Sequence, residues 1–271
     1  MEYGINIQFF QRTLSLEKAA ELVAEAGFTQ IDYTPDLFGD DWKNGLKHAL
    51  TVFRQNGLAV HQTHAPFNRY NKYGNLYGLC LERCAEATEV MGAKFMVAHG
   101  DEFDFENLTF TEEAALGYNH DLFLPYVERA GKGGYAVAFE TVFEDLKRRR
   151  FTSRAEELKD LITSFHSDSA VCCWDFGHGH VSFRKTAPEI IRQMGSLIRC
   201  THLHDNAGND SHQLPLTGDI DWQATAAAFR DVGYSGVMSI EYAHGRIPAS
   251  MAREYLDLSI RTARHIWECD F

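Results

Sequence analysis

Eight short apolar runs punctuate this sequence, six of them preceded by a glycine-stopped amphipathic segment, and six consecutive runs end on Glu, Asp or His. The first runs are Gly4 to Phe10 and Gln30 to Thr34. Ala59 to Thr63 then ends at His64, Lys94 to Ala98 at His99, and Tyr135 to Phe139 at Glu140. Ala170 to Cys173 leads through Trp174 to Asp175, Leu197 to Thr201 ends at His202, and Gly236 to Ile240 ends at Glu241. Between the runs, helical periodicity covers Ser15 to Ala26, Trp42 to Gln55, Leu76 to about Gly92 and Thr111 to Arg129. It returns from a capping-box spacing at Ser153–Glu156, through a segment ending near Met194, over Trp222 to Asp231, and over Pro248 to Trp267. Gly27, Gly57, Gly92, Gly131, Gly195 and Gly233 stand where helices stop.

Strands that alternate with helices form a parallel sheet, and eight such units in 271 residues fit one α/β domain, a single (β/α)8 TIM barrel over 1–271. An open doubly wound sheet needs a glycine-rich phosphate turn after its first strand, where this chain has Phe9-Phe10-Gln11-Arg12. The chain is 45% hydrophobic and 24% charged, enough for one large core, and no Pro/Gly/Ser-rich linker divides it. No charged leader precedes a long apolar run, and no run is long enough to span a bilayer. The six cysteines lack C-x-x-C spacing, which points to reduced thiols and a cytoplasmic protein. A net charge of −12 argues against nucleic acid and anionic membranes as partners. The one basic run is Lys147-Arg148-Arg149-Arg150, a solvated loop or a holder of a substrate phosphate or carboxylate.

In a closed parallel barrel every strand C-terminus opens on one mouth, so His64, His99, Glu140, Asp175, His202 and Glu241 converge there. Three carboxylates in one mouth repel unless a cation neutralises them. Carboxylates with a histidine suit a divalent ion such as Mn²⁺, Mg²⁺ or Co²⁺, with positions left for substrate oxygens.

The ordered motifs His64-Ala65-Pro66-Phe67, Ala98-His99-Gly100, Phe139-Glu140-Thr141, Asp175-Phe176-Gly177-His178, His202-Leu203-His204-Asp205, Gly218-Asp219-Ile220-Asp221-Trp222 and Ile240-Glu241 span nearly the whole chain. With them the sequence resembles the sugar isomerase/epimerase superfamily with the xylose isomerase-like barrel, which also contains endonuclease IV-type enzymes. The resemblance implies that Glu140, Asp175, His202 and Glu241 bind one metal ion and that His178 contacts substrate. It also places His64, His99, His178, Asp210 and His212 where endonuclease IV-type relatives bind several zinc ions. Zn²⁺ with additional ions at those residues is therefore the alternative cofactor set.

The expected activity is a metal-dependent isomerase/epimerase acting on a keto sugar or related polyol ketone, by proton transfer through a metal-stabilised enediolate. Glu140 and Glu241 are the candidate acid/base pair, with His64, His99, His178, His212 and Arg246 as substrate-binding candidates. Phe67, Tyr70 and Trp174 are candidate apolar walls. The alternatives are a multinuclear phosphodiesterase, which the acidic charge disfavours, a sugar lyase or dehydratase, and a non-catalytic sugar-binding relative. The expected partner is a small-molecule sugar, and a homo-oligomer is compatible with the sequence.

Overall fold

The computed structural model describes residues 1–67, 76–100, 102–104, 111–144 and 148–268. Eight parallel strands make one sheet: β1 (Glu2–Asn6), β2 (Gln30–Tyr33), β3 (Ala59–His64), β4 (Phe95–Ala98), β5 (Ala136–Glu140), β6 (Ala170–Asp175), β7 (Ile198–His202) and β8 (Val237–Ile240). Their order is β8-β1-β2-β3-β4-β5-β6-β7. The ends of that order meet through a bridge between Leu203 and Ile240, where Leu203 N–H donates to Ser239 C=O at 2.6 Å. The sheet therefore closes as a (β/α)8 barrel.

The helices among the described residues are α1 (Leu16–Ala26), α2 (Trp42–Gln55), α3 (Leu76–Met91), α4 (Glu112–Gly133), α5 (Ala155–Ser164), α6 (Phe176–Phe183), α7 (Ala187–Met194), α8 (Trp222–Asp231) and α9 (Ala252–Glu268). Local chemistry fixes their ends. Ser15 accepts from the Lys18 amide to open α1, and Gly27 closes it at φ 97°. Asp221 accepts from the Ala224 amide to open α8.

Several boundaries differ from the sequence reading. The first strand stops at Asn6, whose side chain accepts from the Phe9 amide and turns Ile7–Arg12 into a 3₁₀ helix that buries Phe9 and Phe10. Helix α4 runs through Gly131 and stops instead at Gly134, φ 75°. Helix α5 starts at Ala155 with Arg154 in the N-cap position, and the Ser153 hydroxyl donates to Glu144 (2.9 Å) rather than forming a capping box. The segment after β6 splits into α6, a 3₁₀ turn at Arg184–Thr186, and α7. Glu102–Asp104 and Arg148–Arg150 pair as an antiparallel ribbon outside the barrel, which the pattern of apolar runs did not show.

The pleat explains where the site lies. Phe95, Val97, Ala136, Ala138, Val171, Cys173 and Cys200 form one buried cluster at alternate positions on β4 to β7. Their neighbours Met96, Val137, Phe139, Cys172 and Trp174 join the larger core under the helices. The next position on the barrel-interior face of β4, β5, β6 and β7 is His99, Glu140, Asp175 and His202 respectively. Apolar side chains thus plug the barrel, and the first inward residues above the plug are titratable.

Candidate metal and proton-transfer site

Glu140 is the centre of the mouth and is 1% exposed. Its Oε2 lies 3.1 Å from His64 Nε2 and 2.8 Å from His99 Nε2. Its Oε1 lies 3.2 Å from His178 Nδ1 and 3.1 Å from His202 Nδ1. Burial pushes this carboxyl up, but His202, His99 and His178 outweigh it and hold Glu140 well below the usual carboxylate range. Burial drives His99 down to about 4 although Glu140 opposes it. For His202 and His178 the opposite sign wins: burial lowers both, yet Glu241 and Glu140 hold His202 well above its ordinary value, and Asp175, Asp210 and Glu140 do the same for His178. Imidazoles are thus interposed between the crowded carboxylates.

Asp175 ends β6 and caps α6, accepting from the His178 amide at 2.6 Å. The strand residue and the helix residue are therefore locked to each other by one turn of chain. His178 Nδ1 also lies 2.9 Å from the Thr141 carbonyl. Asp175 Oδ2 lies 3.0 Å from His204 Nε2. The His204 ring stacks on His212 at 3.7 Å, and His212 Nε2 is 3.0 Å from Asp210 Oδ1. Two glycines make this fit. A Cβ on Gly177 would stand 1.9 Å from His204 Cε1, and one on Gly179 would stand 2.7 Å from Trp174 Cζ2.

The stretch that carries Asp210 and His212 is tied down by Asp205. Its carboxylate accepts from the Leu216 amide (3.0 Å), the Ile220 amide (3.3 Å) and Trp222 Nε1 (2.8 Å). The aspartate of His202-Leu203-His204-Asp205 is therefore the anchor of the loop.

The four side chains expected to share an ion are brought together: one ligand atom from each of Glu140, Asp175, His202 and Glu241 lies within 4.8 Å of the others. His202 Nδ1 faces all three carboxylates, at 3.1 Å (Glu140), 3.9 Å (Asp175) and 3.6 Å (Glu241), without hydrogen-bond geometry to any described residue. His64, His99 and Glu140 form a further close group, as do His178, His204, Asp210 and His212.

A cavity of about 130 Å³ opens on these groups, with Phe67, Arg150 and His244 in its wall. Phe67 packs on His99 with ring centroids 4.4 Å apart. Arg150 reaches the cavity from the ribbon and lies over the Phe143 ring at 4.7 Å. Trp174 is not a mouth residue: it is 1% exposed, points away from the barrel interior and stacks on Phe183. Arg246 is exposed and does not line the cavity. Tyr70 and Lys147 lie outside the described residues.

Two residues of the site escaped the sequence reading. Asp32 on β2, 1% exposed, places its carboxylate 2.9 Å from His202 Nε2 and accepts from Gln62 Nε2 at 3.1 Å. A lone carboxylate inside the apolar run Ile31-Asp32-Tyr33 was its signal. His204 shares a strand face with His202, as period 2 requires, and that spacing was its signal.

Fold and site together define a TIM-barrel protein with a carboxylate–imidazole cluster at the C-terminal mouth of the strands. The chain belongs to the xylose isomerase-like TIM barrel family, whose model matches residues 20–262. An uncharacterized protein of Sinorhizobium fredii, y4fM, is 23% identical over 89% of this chain and 85% of its own length. Among solved structures, D-psicose 3-epimerase from Clostridium cellulolyticum H10, determined with D-tagatose, superposes with a TM-score of 0.78 at 15% identity, covering 99% of this chain and 100% of that one. The 3-keto-D-glucoside 4-epimerase of E. coli gives 0.75 at 16% identity, covering 97% and 98%. At these identities the likeness is one of fold. No helix among the described residues is long and apolar enough to cross a membrane.

Proposed function

We propose that the protein is a divalent-metal-dependent isomerase or epimerase acting on a keto sugar or related polyol ketone. The observation that carries the reading is the placement of Glu140 and Glu241 on β5 and just after β8, with carboxylate oxygens within 4.8 Å and His202 between them. The donor set fits a cation: three carboxylates converge on one imidazole nitrogen that makes no hydrogen bond to a described residue. Glu140, Asp175, His202 and Glu241 would hold the ion, which supplies a Lewis acid for a substrate carbonyl.

The remaining chemistry belongs to side chains. One of Glu140 and Glu241 takes the proton from the carbon beside the carbonyl, and the other returns one to the neighbouring carbon or to the opposite face. His64 and His99 each present Nε2 to Glu140 Oε2 and so orient it; His178 presents Nδ1 to Oε1. Asp32 fixes the His202 ring from behind. Phe67 supplies an apolar face for sugar carbons in this narrow cavity.

A multinuclear hydrolase is the second reading, supported by the further imidazole-rich groups around Glu140 and Asp210. The net charge of −12 and a 130 Å³ cavity weigh against a duplex substrate. The test is a metal-supplemented screen of keto sugars in deuterated water, read as solvent deuterium at the carbon beside the carbonyl. Exchange supports the isomerase. Two or three zinc ions per chain together with cleavage of abasic DNA would replace it.

A further inference from the structure

A second cavity lies at the opposite end of the barrel, where the strands begin. It measures about 600 Å³. His61, Lys94 and Arg199 stand in its wall, and no carboxylate does. Phe95, Ile198, Val232 and Tyr234 give it an apolar side. In a chain carrying −12, a concavity lined only by cationic and neutral groups departs from the rest of the surface.

Two irregularities in the sheet aim the polar side chains there. The β2–β3 register shifts so that Ile31 pairs with Val60 and Asp32 with Gln62, which leaves His61 as the extra residue. The β6–β7 register shifts so that Cys172 pairs with Ile198 and Cys173 with Cys200, which leaves Arg199 as the extra residue. Bulges of this kind redirect a side chain that the pleat would send elsewhere. Both extra residues end up lining the one cavity.

The polar groups are also unspent. His61 packs edge-on against Phe95, 5.2 Å between ring centroids, and its Nε2 is buried without a hydrogen-bond partner among the described residues. A buried nitrogen with no described partner is unusual in a native fold, so the His61 ring is not fixed by a hydrogen bond at Nε2. Neither the Lys94 ammonium nor the Arg199 guanidinium forms an ion pair with a described residue. Asp168 and Arg199 both line an adjoining depression, without an ion pair between them. Tyr234 is held in place by donating its hydroxyl to the Val237 carbonyl at 2.9 Å, and Gly236 leaves room for it.

We propose that this cavity binds a phosphorylated small molecule, its phosphate on Lys94, Arg199 and His61 and its organic body against Phe95 and Tyr234. An ammonium, a guanidinium and an imidazole suit a tetrahedral dianion. The volume lies within the range of small-molecule pockets and is far larger than phosphate alone needs. The site is separate from the mouth and uses none of its residues.

Phenyl phosphate and inorganic phosphate serve as probes for the full-length protein, with affinity from calorimetry and location from the imidazole NMR signal of His61. The expected result is tighter binding of phenyl phosphate than of phosphate, with a shift of the His61 signal. Loss of one charge-assisted contact in Lys94→Ala or Arg199→Ala should weaken phenyl phosphate about tenfold or more. Both variants change exposed side chains, and Lys94→Gln provides a second, milder substitution that keeps the stem. Affinity unchanged in both alanine variants would overturn the proposal, because the anion would then sit at the mouth. Absence of binding by either probe, or binding that leaves the His61 signal where it was, would overturn it as well.

Discussion

The tightest fit in the site is the one between Gly177 and His204, and Gly177→Ala tests it. The new methyl would stand 1.9 Å from His204 Cε1, where ordinary contact starts at 3.4 Å, so the ring must retreat by about 1.5 Å. It has no free direction: it is fully buried, stacked on His212 at 3.7 Å and held to Asp175 at 3.0 Å. Retreat breaks the contact with the Asp175 carboxylate, worth about 1.5–3 kcal/mol. Overpacking adds about 1–3 kcal/mol. Replacing a helical glycine returns about 0.5–1 kcal/mol through the unfolded chain. The net loss is about 3 kcal/mol. In a His204→Ala background the obstructing ring is gone, and the same substitution should be neutral or slightly stabilising. Urea unfolding of the four proteins in excess chelator gives the cycle without metal affinity entering it. Equal costs in the two backgrounds, within about 0.5 kcal/mol, would refute the argument that His204 dictates the glycine.

Other outcomes follow from the same geometry. Glu140→Gln and Glu241→Gln should each reduce turnover of the best keto sugar by at least about 10²-fold, the usual size of a general acid/base contribution, while circular dichroism stays native; near-normal turnover in either would remove it from the proton-transfer pair. Stripping divalent metal should lower the melting temperature, and Mn²⁺ at about 100 times its Kd should restore about 2.7 kcal/mol, or roughly 5–10 °C, by mass action; a melting curve indifferent to confirmed metal removal would argue against a bound ion. His61 should make the protein acid-sensitive. Burial and Lys94, opposed by Asp32, push its pKa down from 6.5 to about 4 in the folded state, so the folded protein disfavours the protonated ring. That contribution is fully present above pH 6.5 and is lost as pH falls toward 4, by about 3 kcal/mol at most. His61→Gln should flatten the stability profile over that window, and an identical profile in both proteins would exclude the assignment.

The barrel was legible because its signals are local. An apolar run followed by a polar residue marks a strand and its mouth end, and glycines with left-handed backbone, such as Gly27 and Gly233, mark helix stops. The convergence of Glu140, Asp175, His202 and Glu241 then follows from closure alone. Asp32 stands out locally as a carboxylate in a strand, but the contact that gives it a role, with His202, lies 170 positions away. His204 was passed over because its place depends on the missing Cβ of Gly177. The ribbon that brings Arg150 to the cavity pairs segments about 45 residues apart with no hydrophobic alternation of their own. Arg246 had the right position in sequence, just past β8, but its side chain lies at the surface.

The seam of the barrel has a consequence for synthesis. Strand β1 pairs with β8, Glu2 beside Val237 and Ile5 beside Ile240, and β7 reaches β8 at the Leu203–Ile240 bridge. A nascent chain therefore carries Glu140, Asp175 and His202 out of the ribosome long before Glu241 can join them. During that interval the half-built mouth has three of its four central donors and an unpaired sheet edge on either side. Closing the ring brings together residues more than 230 apart, the kind of long-range contact that folds late. Acquisition of the complete carboxylate–imidazole cluster and closure of the barrel are then one event.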